Sequence, residues 1–145
     1  MYRTLRSIAV ATAISVAALA MPGRATAATT SQPAETPRPM EMYAVQLPFA
    51  GIVDAARSWL TKNGTVVISE EHVIAGEHHT SHYRYLIVVM PAKSSPNKSY
   101  LTVEVSKGDT PPPHGAAAPL DELHAFIRQL GEKIGVAPQF VRAAK

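Results

Sequence analysis

The segment "HYRYLIVVMPAKSSPNKSYLTVEV", residues 82–105, predicts the architecture of this 145-residue chain. Its first part, 82–90, is rich in β-branched and aromatic residues and predicts a strand whose apolar half is buried on both faces. Its last part, 99–105, alternates apolar and polar residues, as expected of a strand with one face in the core. The proline-containing stretch 91–99 is predicted to be the loop between them. Because that loop is short, the two strands are expected to pair in antiparallel fashion.

Two further strands are predicted on the N-terminal side of this pair. The run "TVVISEEHVIA", residues 65–75, is β-branched and partly alternating, and it adds a third strand to an antiparallel meander. The short run 42–47 predicts another strand. Pro48 ends that strand because proline cannot donate a hydrogen bond to a neighbouring strand.

Two amphipathic helices complete the pattern. The first, 48–64, has one continuous apolar face and ends at a glycine. The second, 119–135, begins with a proline, carries acidic residues in its first turn and also ends at a glycine. The apolar faces consist of Ile52, Ala55, Ala56, Trp59 and Leu60 in the first helix, and of Leu120, Leu123, Ile127, Leu130 and Ile134 in the second. Trp59 is therefore predicted to lie in the core and not in a binding site.

The predicted element order is β-α-β-β-β-α. This order predicts an α+β fold in which an antiparallel sheet carries both helices on one face. It resembles the order of the small helix-grip modules of bacterial envelope assembly proteins. The resemblance is one of topology, and no motif in the chain identifies a family, so it implies a fold and not an activity.

The N-terminus has the pattern of a cleaved secretory signal peptide, residues 1–27. Two arginines precede an apolar run, and the small residues Ala25-Thr26-Ala27 supply a cleavage site. The run is too short and too rich in alanine for a transmembrane helix, and no later segment is apolar for long enough. Residues 28–40 are predicted to be a flexible leader rich in Pro, Thr and Ala, and 41–145 a single α+β domain. We therefore expect an exported protein of the bacterial periplasm.

Charge and cysteine content exclude several functions. The full chain has a formal net charge of +3. Arg3, Arg6 and Arg24 belong to the predicted signal, and without them the basic and acidic residues are equal in number. A neutral chain of this kind is not expected to bind nucleic acid. The absence of cysteine excludes disulfides, thiol catalysis and cysteine-based zinc sites.

Histidines are concentrated in and just before the stretch "GEHHTSHYRY", residues 76–85. Imidazole and carboxylate groups bind zinc, copper or nickel where three or four of them converge. One hypothesis is therefore a metal site, and its candidate ligands are His72, His78, His79, His82 and Glu71. The other interpretations are a solvated hairpin tip, and a pH sensor whose histidines become charged together as the pH falls towards about 6.

The register of the predicted hairpin determines which histidines meet. A two-residue turn at 76–77 would place Ala75 opposite His78, whereas a three-residue loop would place His72 opposite His82. The turn chemistry is compatible with both registers.

The chain contains none of the common catalytic motifs, such as G-x-S-x-G, a glycine-rich phosphate loop or H-E-x-x-H. A non-catalytic protein without a cofactor is therefore predicted, with zinc or copper only in the metal-binding alternative. By elimination, we expect a protein-binding module, an assembly factor or an inhibitor, whose partner is another envelope or secreted protein. Its candidate binding residues, Tyr83, Tyr85 and Tyr100, are expected on the sheet face away from the helices.

Overall fold

A computed structural model of the chain describes residues 38–143, which lie within one compact unit. The predicted signal peptide, 1–27, and most of the predicted leader, 28–37, lie outside the described residues. The strands are β1 Met40–Val45, β2 Gly64–Ser69, β3 Val73–His78, β4 Tyr83–Ala92, β5 Ser95–Lys107 and β6 Gln139–Ala143, and the helices are α1 Phe49–Asn63 and α2 Pro119–Ile134. Among residues 38–143, no helix combines the length and apolarity that crossing a membrane requires.

The six strands form one antiparallel sheet in the order β2-β3-β4-β5-β1-β6. Both helices pack on one face of this sheet and contact each other, where Trp59 Nε1 of α1 donates to Gln129 Oε1 of α2 at 2.8 Å. The predicted α+β class and the antiparallel sheet are therefore confirmed. The sixth strand is an addition to the predicted order, formed by the C-terminal tail.

The core lies between the helices and the sheet. Tyr85 on β4 and Phe126 on α2 are almost fully buried, and Trp59 on α1 is 6% exposed. The Trp59 ring meets Phe126 edge-on at 4.7 Å and Tyr85 edge-on at 5.3 Å between ring centroids. The prediction that Trp59 belongs to the core is confirmed. Aromatic rings from all three elements thus hold the two helices against the sheet.

The predicted strand 65–75 is divided into two strands, β2 and β3. The chain reverses at residues 70–72, where the Glu70 N–H donates to the Val73 carbonyl at 2.8 Å. No glycine or proline marks this turn, so the β-branched residues on either side of it read as a single strand. The loop predicted at 91–99 is also shorter than expected, because β4 and β5 both extend into it.

Both predicted registers of the histidine hairpin are wrong. In the β3–β4 pair Glu77 lies opposite Arg84, and the turn occupies residues 79–82. The His82 N–H donates to the His78 carbonyl at 3.0 Å, and His82 has a φ of 56°, in the left-handed region that non-glycine residues rarely adopt. The turn was predicted at Gly76, but Gly76 lies inside β3.

Position 76 requires a glycine because the backbone of β3 passes close to α1 and β2 there. A Cβ atom at this position would lie 2.3 Å from the Thr65 carbonyl oxygen and 2.7 Å from Leu60 Cδ2. Neither neighbour can retreat easily, because one is backbone and the other is fully buried. The glycine is therefore required for close packing and not for a turn.

Gly76→Ala is expected to lower the free energy of unfolding by about 1–3 kcal/mol, the usual consequence of forcing atoms into a packed core. Urea unfolding monitored by circular dichroism measures the change. Gly51→Ala is the matched control, because its nearest neighbour is the end of the flexible Leu47 side chain and alanine favours helix. Equal stabilities for the two variants would contradict the close approach at Gly76.

Both edge strands of the sheet are interrupted by a one-residue bulge. The pairing of β2 with β3 shifts between Val66 and Ile68 and leaves Val67 as the extra residue. The pairing of β6 with β1 shifts so that Val141 is the extra residue. Bulges of this kind bend an edge strand away from regular geometry and oppose its pairing with a further strand.

Candidate functional site

The residues of the predicted metal site lie at opposite ends of β3. His72 precedes the strand, where its ring packs on Phe49 at 4.7 Å, and Glu71 lies beside it. The remaining histidines lie at or beyond the other end of β3, about 20 Å away at roughly 3.3 Å per residue. Within residues 38–143, no three His, Asp or Glu side chains converge in a way that could hold a metal ion.

The structure does bring His78, His79 and His82 together around one cleft. The cleft has a volume of about 400 Å³, and Glu77 and Thr65 also line it. His79 Nε2 lies 3.1 Å from Thr65 Oγ1, and His82 Nδ1 lies 3.7 Å from Glu77 Oε1. His79 and His82 therefore each have a polar partner of their own.

Beneath this turn lies a half-buried carboxylate, Glu122, in the first turn of α2. Its Oε1 atom accepts hydrogen bonds from Ser81 Oγ at 2.7 Å and from the Tyr85 hydroxyl at 2.9 Å. The side chain is 16% exposed. Two donors from the β3–β4 hairpin thus meet one acceptor from the helix, and this contact joins the hairpin to α2.

His78 lies between this carboxylate and the core. Its ring stacks on Trp59 with a centroid distance of 5.6 Å and an interplanar angle of 21°. Its Nδ1 atom accepts the Ser81 backbone N–H at 3.2 Å and lies 3.0 Å from Ser81 Oγ and 3.9 Å from Glu122 Oε1. We refer to His78, Ser81, Tyr85 and Glu122 as the buried polar cluster.

Burial dominates the protonation behaviour of this cluster. It lowers the pKa of His78; the charge of Glu122 acts in the opposite direction, and His79 and His82 lower the pKa further. Burial also raises the pKa of Tyr85, and the charge and hydrogen bond of Glu122 add to that effect. His78 and Tyr85 are therefore both neutral at pH 7.

The buried polar cluster contains a serine, a histidine and an acid, but it does not have the geometry of a catalytic triad. Ser81 is only 8% exposed, and its hydroxyl proton is donated to Glu122. In a triad the serine proton passes to the histidine, and the acid orients the histidine from the other side. The cluster instead stabilises the contact between the turn and the helix.

The candidate tyrosines are divided between the two faces of the sheet. The prediction that all three lie away from the helices is wrong for Tyr83 and Tyr85, which are 3% and 1% exposed beneath α2. The Tyr83 hydroxyl donates to the Ala117 carbonyl at 2.7 Å. Tyr100 lies on the opposite face and is half-buried, with Lys98 Nζ 5.4 Å from its ring centroid.

The sheet face away from the helices, here called the outer face, is largely apolar. Leu86 is 37% exposed and Met90 is 51% exposed, although both lie on the central strand β4. Side chains of the neighbouring strands continue this surface in two mainly apolar cross-strand rows: Val73, Val88, Thr102 and Met42, and Met90, Tyr100 and Ala44. In the row of Leu86, the neighbour on β5 is Glu104. Among residues 38–143, no element covers this face.

The chain matches no protein-family model, and no curated protein is significantly similar to it.

The sequence indicates Glu122 only as an acidic residue favoured by the helix dipole, and not as a member of the buried polar cluster. A signal was nevertheless present, because Glu122, Phe126 and Leu130 recur at every fourth position and therefore follow one line along α2. Phe126 and Leu130 are buried, so the carboxylate at the end of that line faces the core.

Proposed function

We propose that this protein is a small exported, non-catalytic module that binds another protein of the bacterial cell envelope, or a secreted protein, through its outer face. The observation that carries the proposal is the exposure of Leu86 and Met90 on a central strand. Apolar side chains grouped on an uncovered sheet face are typical of interaction surfaces.

The composition of the outer face favours a protein as the partner. Methionine, tyrosine and aliphatic side chains occupy its middle, as in the cores of protein interfaces. Charged groups border this middle: Glu104 lies opposite Leu86, and Arg84 pairs with Glu77 and Asp109 at one end. A polar rim beside an apolar centre is the usual anatomy of such interfaces.

The bulges in β2 and β6 also favour binding through the face of the sheet. Partner strands add most readily to a regular, unpaired edge. Val67 and Val141 interrupt both edges of this sheet. We therefore propose contact through side chains on the outer face and not through backbone pairing.

Site-specific photo-cross-linking in the cell envelope of the native host tests this proposal. A photoreactive amino acid at Leu86 is expected to give an adduct of discrete mass, whereas the same group at Glu132, exposed on α2, is not. A Met90→Asp substitution in the Leu86 cross-linking variant is expected to lower the adduct yield about tenfold, because it places a charge in the apolar centre.

Met90 is half exposed, so Met90→Asp should leave the fold intact, and circular dichroism checks this. A Leu86 adduct that survives Met90→Asp, or an equal adduct from Glu132, would contradict binding through the outer face.

A further inference from the structure

We propose that His78, Ser81 and Glu122 form a proton-sensitive connection between the β3–β4 turn and α2, which is closed while His78 is neutral and opens when His78 is protonated. The inference is independent of the proposed binding face. It depends on the hydrogen bonds of the buried polar cluster, on the stacking of His78 against Trp59 and on the conformation of the turn.

The hydrogen bonds fix the protonation state of the closed form. The Ser81 hydroxyl donates its only proton to Glu122, and the Ser81 backbone N–H points at His78 Nδ1. That nitrogen must therefore be an unprotonated acceptor. A proton added there would leave the Ser81 N–H without its acceptor and would set two N–H groups against each other at 3.2 Å. Ser81 Oγ, 3.0 Å away, could accept that proton only if the ring turned from the Ser81 N–H towards the hydroxyl.

The surroundings of His78 disfavour the protonated imidazolium in the closed form. The ring is largely buried against Trp59, so the charged form loses most of its hydration. The titratable groups that face it are Glu122 from α2, Tyr85 from β4, and His79 and His82 from the turn. Only Glu122 favours the charged ring, and its Oε1 atom already accepts two hydrogen bonds.

An open form would bind the proton better than the closed form. In water the imidazolium keeps its hydration and the ordinary pKa of about 6.5. Protons therefore shift the population towards whichever form exposes the ring, in proportion to the difference in affinity. The left-handed backbone conformation of His82 also favours rearrangement of the turn. The closed form requires this conformation, which non-glycine residues rarely adopt, and opening would relieve its strain.

Trp59 provides a direct readout, because it is the chain's only tryptophan and His78 covers its ring. We expect the emission maximum of the intact protein to shift to longer wavelength as the pH is lowered from 8 to 5, because opening admits water to the indole. The midpoint should lie below the ordinary histidine value of about 6.5. Between pH 6.5 and this midpoint, the ratio of open to closed protein should rise about tenfold per pH unit.

Amide hydrogen exchange measured over the same pH range should show loss of protection at Ser81 and His82, whose N–H groups bond to His78. Unchanged far-ultraviolet circular dichroism would show that the opening is local. Quenching of Trp59 without a wavelength shift, with protection retained at Ser81, would mean that His78 is protonated in place. That result, or a flat titration, would overturn the proposal.

Three variants assign the transition to its residues. His78→Gln is expected to abolish it. Glu122→Gln is expected to move its midpoint to higher pH, because the charge that favours the imidazolium in the closed form is lost and the closed form then binds the proton still less well. Replacing both His79 and His82 with glutamine should move the midpoint to lower pH, because these two residues oppose the charge on His78 in the closed form and without them the closed form competes better for the proton. A transition that persists in His78→Gln, or that disappears in the His79 and His82 double variant, would overturn the assignment.

Discussion

Replacing Phe126 with alanine is expected to lower the free energy of unfolding by about 3–5 kcal/mol, the typical effect of removing a buried aromatic ring. Phe126 is 1% exposed. Its ring contacts Trp59 at 4.7 Å and Tyr85 at 5.6 Å between centroids, and so links α2 to α1 and to β4 at once. The alanine variant would leave a cavity at the point where both helices meet the sheet.

Urea unfolding of the purified protein measures this change, and Leu120→Ala provides the matched control. Leu120 belongs to the same helix but is 42% exposed, so its loss should change the free energy of unfolding by less than about 1 kcal/mol. A Phe126→Ala variant as stable as Leu120→Ala would contradict the packing of α2 described above.

Replacing Glu122 with alanine is expected to lower the free energy of unfolding by about 2–4 kcal/mol at pH 7. The substitution removes the acceptor of two buried hydroxyl groups, those of Ser81 and Tyr85. A buried donor without a partner is more destabilising than the loss of the hydrogen bond itself, because it has also lost its hydration. The hairpin would then be held to α2 mainly by apolar contacts.

Asp121→Ala distinguishes this role from a simple helix-dipole effect. Asp121 and Glu122 both lie in the first turn of α2, but Asp121 is exposed. Its replacement should change the free energy of unfolding by only about 0.3–1 kcal/mol. Equal losses for the two alanine variants would mean that Glu122 acts through the helix dipole and not through the buried polar cluster.

The helices could be predicted from the sequence because their signals are redundant. In α2, Pro119 at the start, a glycine in the left-handed conformation at the end and a periodic apolar face all indicate the same element. The strands were harder to delimit. The turn at 70–72 has no glycine or proline, and Gly76 resembles a turn residue although its role is to allow close packing.

The faces of β4 could not be assigned from its own sequence. Ile87 and Val89 alternate with Leu86, Val88 and Met90, so both sides of the strand are apolar. Only the tertiary contacts show which side is covered by the helices. The buried polar cluster could not be predicted for a similar reason. Its members come from the β3–β4 hairpin and from α2, which are far apart in the sequence.

The position of β1 in the sheet has a consequence for how the chain folds. Strands β2 to β5 are neighbours both in sequence and in space, so each can pair with its predecessor as soon as both have been synthesised. The first strand instead lies between β5 and β6, and its pairing must close long loops, which is intrinsically slow. The N-terminal strand therefore stays unpaired until β5 has been synthesised, and it gains its second partner only when Gln139–Ala143 follow.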